Sequence, residues 1–171
     1  MDIAIIPKRL ILIRGNSGSG KSTVAARIRE ELDEQVLSLQ QDFIRQNMLK
    51  KIQDEDGNPG VGLVKHLLTY GQQQGFTVIL EGILSNLKYG EMLREFIATF
   101  DKSYVYYFDI PFEETLRRHT LRHKVNDFGE DEMRDWWKEK DYLNVPGERI
   151  LGQELSEDEV VELILKDVEH S

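Results

Sequence analysis

Gly15-Asn16-Ser17-Gly18-Ser19-Gly20-Lys21-Ser22-Thr23 fits the pattern G-x-x-x-x-G-K-[ST]. That spacing lets successive backbone N–H groups converge on the oxygens of a phosphate, with glycines giving the backbone room to wrap closely around the anion. A helix opening near Lys21 adds its positive N-terminal end. The pattern assigns the Lys21 ammonium to the β- and γ-phosphates and the Ser22 hydroxyl to Mg²⁺. A Gly/Ser turn that merely happens to precede a lysine would lack the flanks found here. Residues 9–13 are almost continuously apolar, as in a strand buried on both faces, and Val24, Ala25, Ile28 and Leu32 recur at helical spacing over 21–33. Strand, loop and helix in that order predict a nucleotide-binding loop over the nine residues Gly15 to Thr23.

Outward from this loop, short apolar runs alternate with helical patterns, the mark of an α/β fold around a parallel sheet. Strands are expected at 36–39, 77–80, 104–108 and 149–151. Helices are expected at 43–52, 64–73, 89–100, from Pro111 onward, and at 157–168. Residues 54–60 read as a loop on composition, Gly75 as a helix C-cap, and Ser156-Glu157-Asp158-Glu159 as a capping box. Residues 129–140 form a polar excursion with a short helix around Trp136 and Trp137. No repeat or linker divides the chain, so one domain over 1–171 is expected, with three α/β/α layers and about five parallel strands.

The 171 residues carry 22 Lys plus Arg against 31 Asp plus Glu, a formal net charge of −9. Such a balance opposes non-specific adhesion to nucleic acid or to anionic membranes, while leaving room for a local basic cleft. The absence of cysteine removes disulfides, thiolate zinc sites and cysteine nucleophiles. Apolar runs such as 10–13 and 78–80 are too short to span a bilayer, and residues 1–9 contain no signal-peptide core. A cytoplasmic location follows as an expectation.

A phosphate loop names a donor and leaves the acceptor open. In a parallel sheet, functional groups collect beyond the carboxyl ends of the strands, so Asp42, just after the second strand, should share a rim with Lys21. Asp42 there can take a proton from an attacking hydroxyl, and Arg45, one turn later, can hold a polar or anionic acceptor. An aspartate at a helix start is also a common cap, and that reading competes. Glu81, ending the third strand, suits either the shell of a Mg²⁺ ion or the substrate, and Asp109 at the next strand end competes with it.

Downstream, Arg117, Arg118, Arg122 and Lys124 cluster in an otherwise acidic chain. Arg118 and Arg122 fall on one helical face, as expected for a mobile cationic lid over about 115–140, with Arg117 in reserve. His119 and His123 share the i, i+4 spacing but have no third ligand, which points to hydrogen bonding near phosphate rather than to a metal. Asp54-Glu55-Asp56-Gly57 imitates the start of a calcium loop and fails, because its glycine is misplaced and the twelfth position is Lys65. One of the two adjacent tryptophans is expected to pack on the domain, with the other facing the acceptor.

The order of phosphate loop, strand and D-x-x-R at Asp42 and Arg45 resembles the phosphotransferases that include polynucleotide 5′-kinases, zeta toxins and chloramphenicol phosphotransferase. Val78-Ile79-Leu80-Glu81-Gly82 is similar to the zeta-toxin segment in which an apolar strand ends in Glu-Gly. The resemblance covers residues 8–125 and implies a P-loop NTPase fold, with Asp42 as general base and Arg45 holding substrate phosphate. It implies an ATP- and Mg²⁺-dependent kinase acting on the hydroxyl of a small molecule such as a nucleoside, a nucleotide sugar or an antibiotic. Two alternatives stay open: a GTPase-like switch, although no N-K-x-D string occurs, and a polynucleotide 5′-hydroxyl kinase, which the −9 charge disfavours.

Overall fold

The computed structural model describes residues 7–50, 59–121 and 128–170. Five strands, β1 (Arg9–Gly15), β2 (Val36–Gln40), β3 (Thr77–Gly82), β4 (Lys102–Phe108) and β5 (Arg149–Leu151), form one sheet in the order β2-β3-β1-β4-β5. Every pairing is parallel. Helices α1 (Lys21–Glu31), α3 (Pro59–Gln74), α4 (Asn86–Thr99) and α7 (Glu157–Glu169) cover the faces of the sheet. The short helices α2 (Gln41–Phe43), α5 (Phe112–Thr120) and α6 (Glu130–Trp136) stand at its carboxyl edge.

The central position of β1 explains its unbroken apolar run. Leu10 and Leu12 point into a core shared with Val64 and Leu68 of α3 and Leu93 and Phe96 of α4. Ile11 and Ile13 point the opposite way, against Val24 and Ile28 of α1 and Val161 and Ile164 of α7. All four are fully buried, and each such side chain contributes about 1.5–3 kcal/mol. The result is three layers with no exposed face on the middle strand.

Register brings the chemistry to one edge. Ile13 lies beside Glu81, Glu81 beside Gln40, and Gly15 beside Phe108. The segments leaving β1, β2, β3 and β4 therefore emerge together, with the order reversal between β1 and β3 opening the crevice that ligands use in such sheets.

Several boundaries differ from those expected. Residues 41–43 form a single α-turn that continues as a π-helical stretch over Ile44–Met48, in place of a regular helix from Phe43. Pro59 and Gly60 belong to α3 rather than to a loop, since proline's fixed φ and missing N–H suit a first helical position. Helix α4 begins at Asn86, three residues early, because the Asn86 N–H is held at 2.8 Å by the Asp141 carboxylate, a partner remote in sequence. Gly75 (φ +73°) closes α3, and the Ser156–Glu159 capping box opens α7. The proposed calcium-loop imitation at 54–57 lies outside the described residues. Among the described residues no helix is long and apolar enough to cross a membrane.

Helix α3 approaches the sheet through Gly71, where a Cβ would fall 2.5 Å from Val78 Cγ2 and 2.9 Å from Leu37 Cδ2. Gly71→Ala should therefore lower stability by about 1–3 kcal/mol despite alanine's better helix propensity. In urea denaturation this appears as a lower midpoint with an unchanged slope.

Candidate active site

The loop between β1 and α1 closes on itself. Lys21 is buried, and its ammonium donates to the Asn16 carbonyl at 2.8 Å and lies 3.4 Å from Ser19 Oγ. Gly18 (φ +77°) allows the Thr115 carbonyl of α5 within 2.7 Å of where a Cβ would stand, and Gly20 (φ +100°) immediately precedes the helix. Across the crevice, the Ser22 hydroxyl donates to Glu81 Oε1 at 2.9 Å. Asp109 is committed elsewhere, accepting the Tyr142 hydroxyl at 2.6 Å. Of the two competing carboxylates, only Glu81 is paired with the loop serine. A hydroxyl and a carboxylate in contact are hard oxygen donors that fit Mg²⁺.

Asp42 and Arg45 stand at the edge beyond β2. The N-cap position belongs to Gln40, so Asp42 does not cap its helix. Its side chain is 67% exposed and accepts from Arg45 Nη2 at 3.3 Å. Gln41, between strand and acid, is buried and anchors the loop after β3 by accepting the Leu84 N–H at 2.9 Å.

From α5, Arg118 reaches the phosphate loop: Nη1 donates to the Ser19 carbonyl at 3.0 Å and Nε to Glu114 at 2.8 Å. Arg117 turns outward and is engaged twice by the same carboxylate. The two guanidiniums, Arg117 first, hold the Glu114 carboxyl down to about 2. A cavity of about 610 Å³ opens beside Ser19 and Gly20, bounded by Arg118 and by the Gly152–Leu155 turn after β5. Arg122, His123 and Lys124 lie outside the described residues.

His119, on α5, is engaged within the protein. It is buried, its ring stacks on Phe128 with centroids 4.5 Å apart, and Nε2 is hydrogen-bonded to the Phe128 carbonyl at 2.9 Å. That ring is packed between α5 and the segment that leads into α6. Among the described residues no group of three metal-ligating side chains occurs. Trp136 packs on Phe128 and Trp137 stands edge-on to Phe112. Both therefore contact aromatic rings of the region around α5 and α6.

Two residues, Arg14 beside the motif and Asn16 within it, carry weight that the pattern does not express. Arg14 is fully buried at the end of β1. Its Nε and Nη2 donate to the Leu84 carbonyl at 3.0 and 2.9 Å, Nη1 to the Asp141 carbonyl at 2.8 Å, and Nη2 to the Asp141 carboxylate at 2.7 Å. Burial lowers its pKa, and Asp141 and then Glu148 work against that shift. A charge ending an apolar strand was the available signal. Asn16, inside the motif, exchanges two hydrogen bonds with the Lys138 peptide: Nδ2 to the carbonyl at 2.6 Å and the N–H to Oδ1 at 2.8 Å. Nothing in the sequence signals that pairing. Burial also pushes the Tyr107 hydroxyl, which accepts the Asp141 N–H, up to about 12.

A family model described as an AAA domain (AAA_33) matches residues 10–139. No curated protein matches the chain in sequence. Among solved structures it is similar to the Mycobacterium tuberculosis APS kinase in complex with AMPPNP and APS, at 17% identity, TM-score 0.70, covering 96% of this chain and 99% of that one. It is also similar to a gluconokinase from Sinorhizobium meliloti, at 18% identity, TM-score 0.68, covering 96% and 93%. A third is the Deinococcus radiodurans tunicamycin resistance protein, at 16% identity, TM-score 0.62, covering 94% and 95%.

The buried Arg14–Asp141 pair allows a direct test of what holds the edge together. Asp141→Ala leaves the guanidinium with Glu148 at 3.8 Å as its remaining carboxylate and also strips the N-terminal partner of α4. Stability should fall by about 3 kcal/mol, read from chemical denaturation.

Proposed function

The chain belongs to the AAA domain family, and from that premise we propose that it is an ATP- and Mg²⁺-dependent kinase. It transfers the γ-phosphate of ATP to a hydroxyl of a small-molecule acceptor, working as one domain with a lid over about 115–140. The observation that carries this reading is the Ser22–Glu81 contact beside the buried Lys21. The solved structures it resembles include kinases, and at 17–18% identity they supply the fold, while the reaction class comes here as part of the proposal.

In this reading the N–H groups of residues 15–23 cradle the phosphates and Lys21 neutralises the β- and γ-oxygens. Ser22 and Glu81 would hold a Mg²⁺ ion, which would supply positive charge against the phosphates. Arg45 holds the acceptor, and Asp42 accepts the proton of the acceptor hydroxyl as its oxygen bonds to the γ-phosphorus. The bond from that phosphorus to the β,γ-bridging oxygen breaks, leaving ADP. Arg118, already against Ser19, stabilises the charge spread over the three transferring oxygens. Arg122 is assigned to the same lid on its sequence position alone. A net charge of −9 favours small acceptors over polynucleotides.

Two substitutions separate binding from chemistry. Lys21→Ala should abolish transfer and weaken ATP binding, and wild-type affinity by calorimetry would sink the nucleotide-site reading. Asp42→Asn keeps size but takes no proton at neutral pH, so single-turnover transfer should fall by about 10²–10⁴-fold with ATP affinity unchanged. A radiolabel-transfer screen over nucleosides, nucleotide sugars, antibiotics and 5′-hydroxyl oligonucleotides supplies the acceptor for that measurement.

A further inference from the structure

Glu114 lies in the first turn of α5, three residues before Arg117 and four before Arg118, and it engages both. Its Oε1 accepts from Arg118 Nε and from Arg117 Nη2, each at 2.8 Å, and its Oε2 accepts from Arg117 Nε at 2.7 Å. The side chains differ in exposure: 61% for Arg117, 27% for Arg118 and 19% for Glu114. The Arg117 contact is a surface pair of the ordinary i, i+3 kind. The Arg118 contact is different, because the same guanidinium also donates to the Ser19 carbonyl inside the phosphate loop. Arg118 is thus fixed at two points, Nε by Glu114 and Nη1 by the loop, while Nη2 has no partner among the described residues.

A carboxylate at this place opposes the site's own electrostatics. Glu114 lines the same cavity as Ser19, Gly20 and Arg118, where its negative charge repels a polyphosphate. A surface that only needed cations would do better without it. What the carboxylate supplies is order. Held by Glu114, the long Arg118 side chain has already lost its rotamer freedom and points its fork at the loop before any phosphate arrives. Without it, Arg118 keeps only its contact with the Ser19 carbonyl, and the two adjacent guanidiniums repel each other.

We propose that Glu114 is a positioning residue for phosphoryl transfer, holding Arg118 against the phosphate loop so that its charge is in place when the transition state forms. This rests on the role given to Arg118 above. The consequence is a split between binding and rate. Removing the negative charge leaves ATP bound as tightly as before or more tightly, while the chemical step slows because Arg118 must be ordered during the reaction. A residue that merely braced α5 would lose both together.

The test uses single-turnover hydrolysis of ATP to water with Mg²⁺, so that no acceptor is needed, together with calorimetric affinity for ATP. Glu114→Gln should hydrolyse about tenfold more slowly with a Kd equal to or below that of the wild type. Arg118→Ala should be slower still, and the double variant should match Arg118→Ala within about twofold, since Glu114 acts through that side chain. Wild-type hydrolysis in Glu114→Gln with slow Arg118→Ala overturns the positioning role and leaves the role of Arg118 standing. Wild-type hydrolysis in Arg118→Ala overturns both. A double variant slower than Arg118→Ala by the full Glu114→Gln factor, or a Glu114→Gln variant whose ATP affinity falls with its rate, also overturns the proposal.

Discussion

A guanidinium with no access to water sits at the end of the central strand, and it must be compensated there. Arg14 follows Ile13 in β1 and precedes the first glycine of the phosphate loop. Leaving a buried cation unpaired costs several kcal/mol, so partners have to be brought to it. Those partners come from separate places: the Leu84 carbonyl after β3, the Asp141 carbonyl and carboxylate after α6, and Glu148 just before β5. One charge therefore sets the relative positions of the phosphate loop, the turn after β3 and the segment that follows α6.

The same region carries strained backbone. Leu84 (φ +44°), Lys140 (φ +45°) and Asn144 (φ +56°) occupy the left-handed region without being glycine. Each conformation costs about 1–3 kcal/mol and persists because its surroundings over-determine it. Leu84 is buried, with its N–H held by Gln41 and its carbonyl held twice by Arg14. Lys140 precedes Asp141, whose backbone and side chain both serve Arg14. The strain is thus concentrated where the charge network can hold it, at the rim that faces the crevice.

Segments downstream of β4 make their own attachments to the loop. Asn16 holds the Lys138 peptide from both sides, while Arg118 reaches Ser19 from α5. The phosphate loop is therefore held from two segments downstream of β4, one through the backbone of Lys138 and the other through a charged side chain. The peptide contact is neutral and short, suited to a permanent seam. A cation on a carbonyl can exchange that oxygen for a phosphate oxygen, which binds it more strongly.

Sequence alone determined the phosphate loop, the α/β class and the succession of strands along the chain, because each rests on nearby residues, whereas the sheet order β2-β3-β1-β4-β5 does not. Nine consecutive residues carry the loop, the two-sided burial of β1 is written in residues 10–13, and Ser156 caps α7 through its own Glu159. It also placed Asp42, Arg45 and Glu81 at the edge of the sheet, since strand ends can be read from local pattern, and Arg118 on the helix after β4. What it left undecided was which groups meet. Glu81 rather than Asp109 faces Ser22 because the parallel register of β1 and β3 sets it there, across 59 residues of chain. Arg118 meets Ser19 across 99 residues, Asn16 meets Lys138 across 122, and Arg14 meets Asp141 across 127. His119 turned inward because Phe128 offered a ring and a carbonyl at once. Those choices belong to tertiary structure for one physical reason. A hydrogen bond depends on fractions of an ångström between two side chains, and no local periodicity carries that distance over a hundred residues.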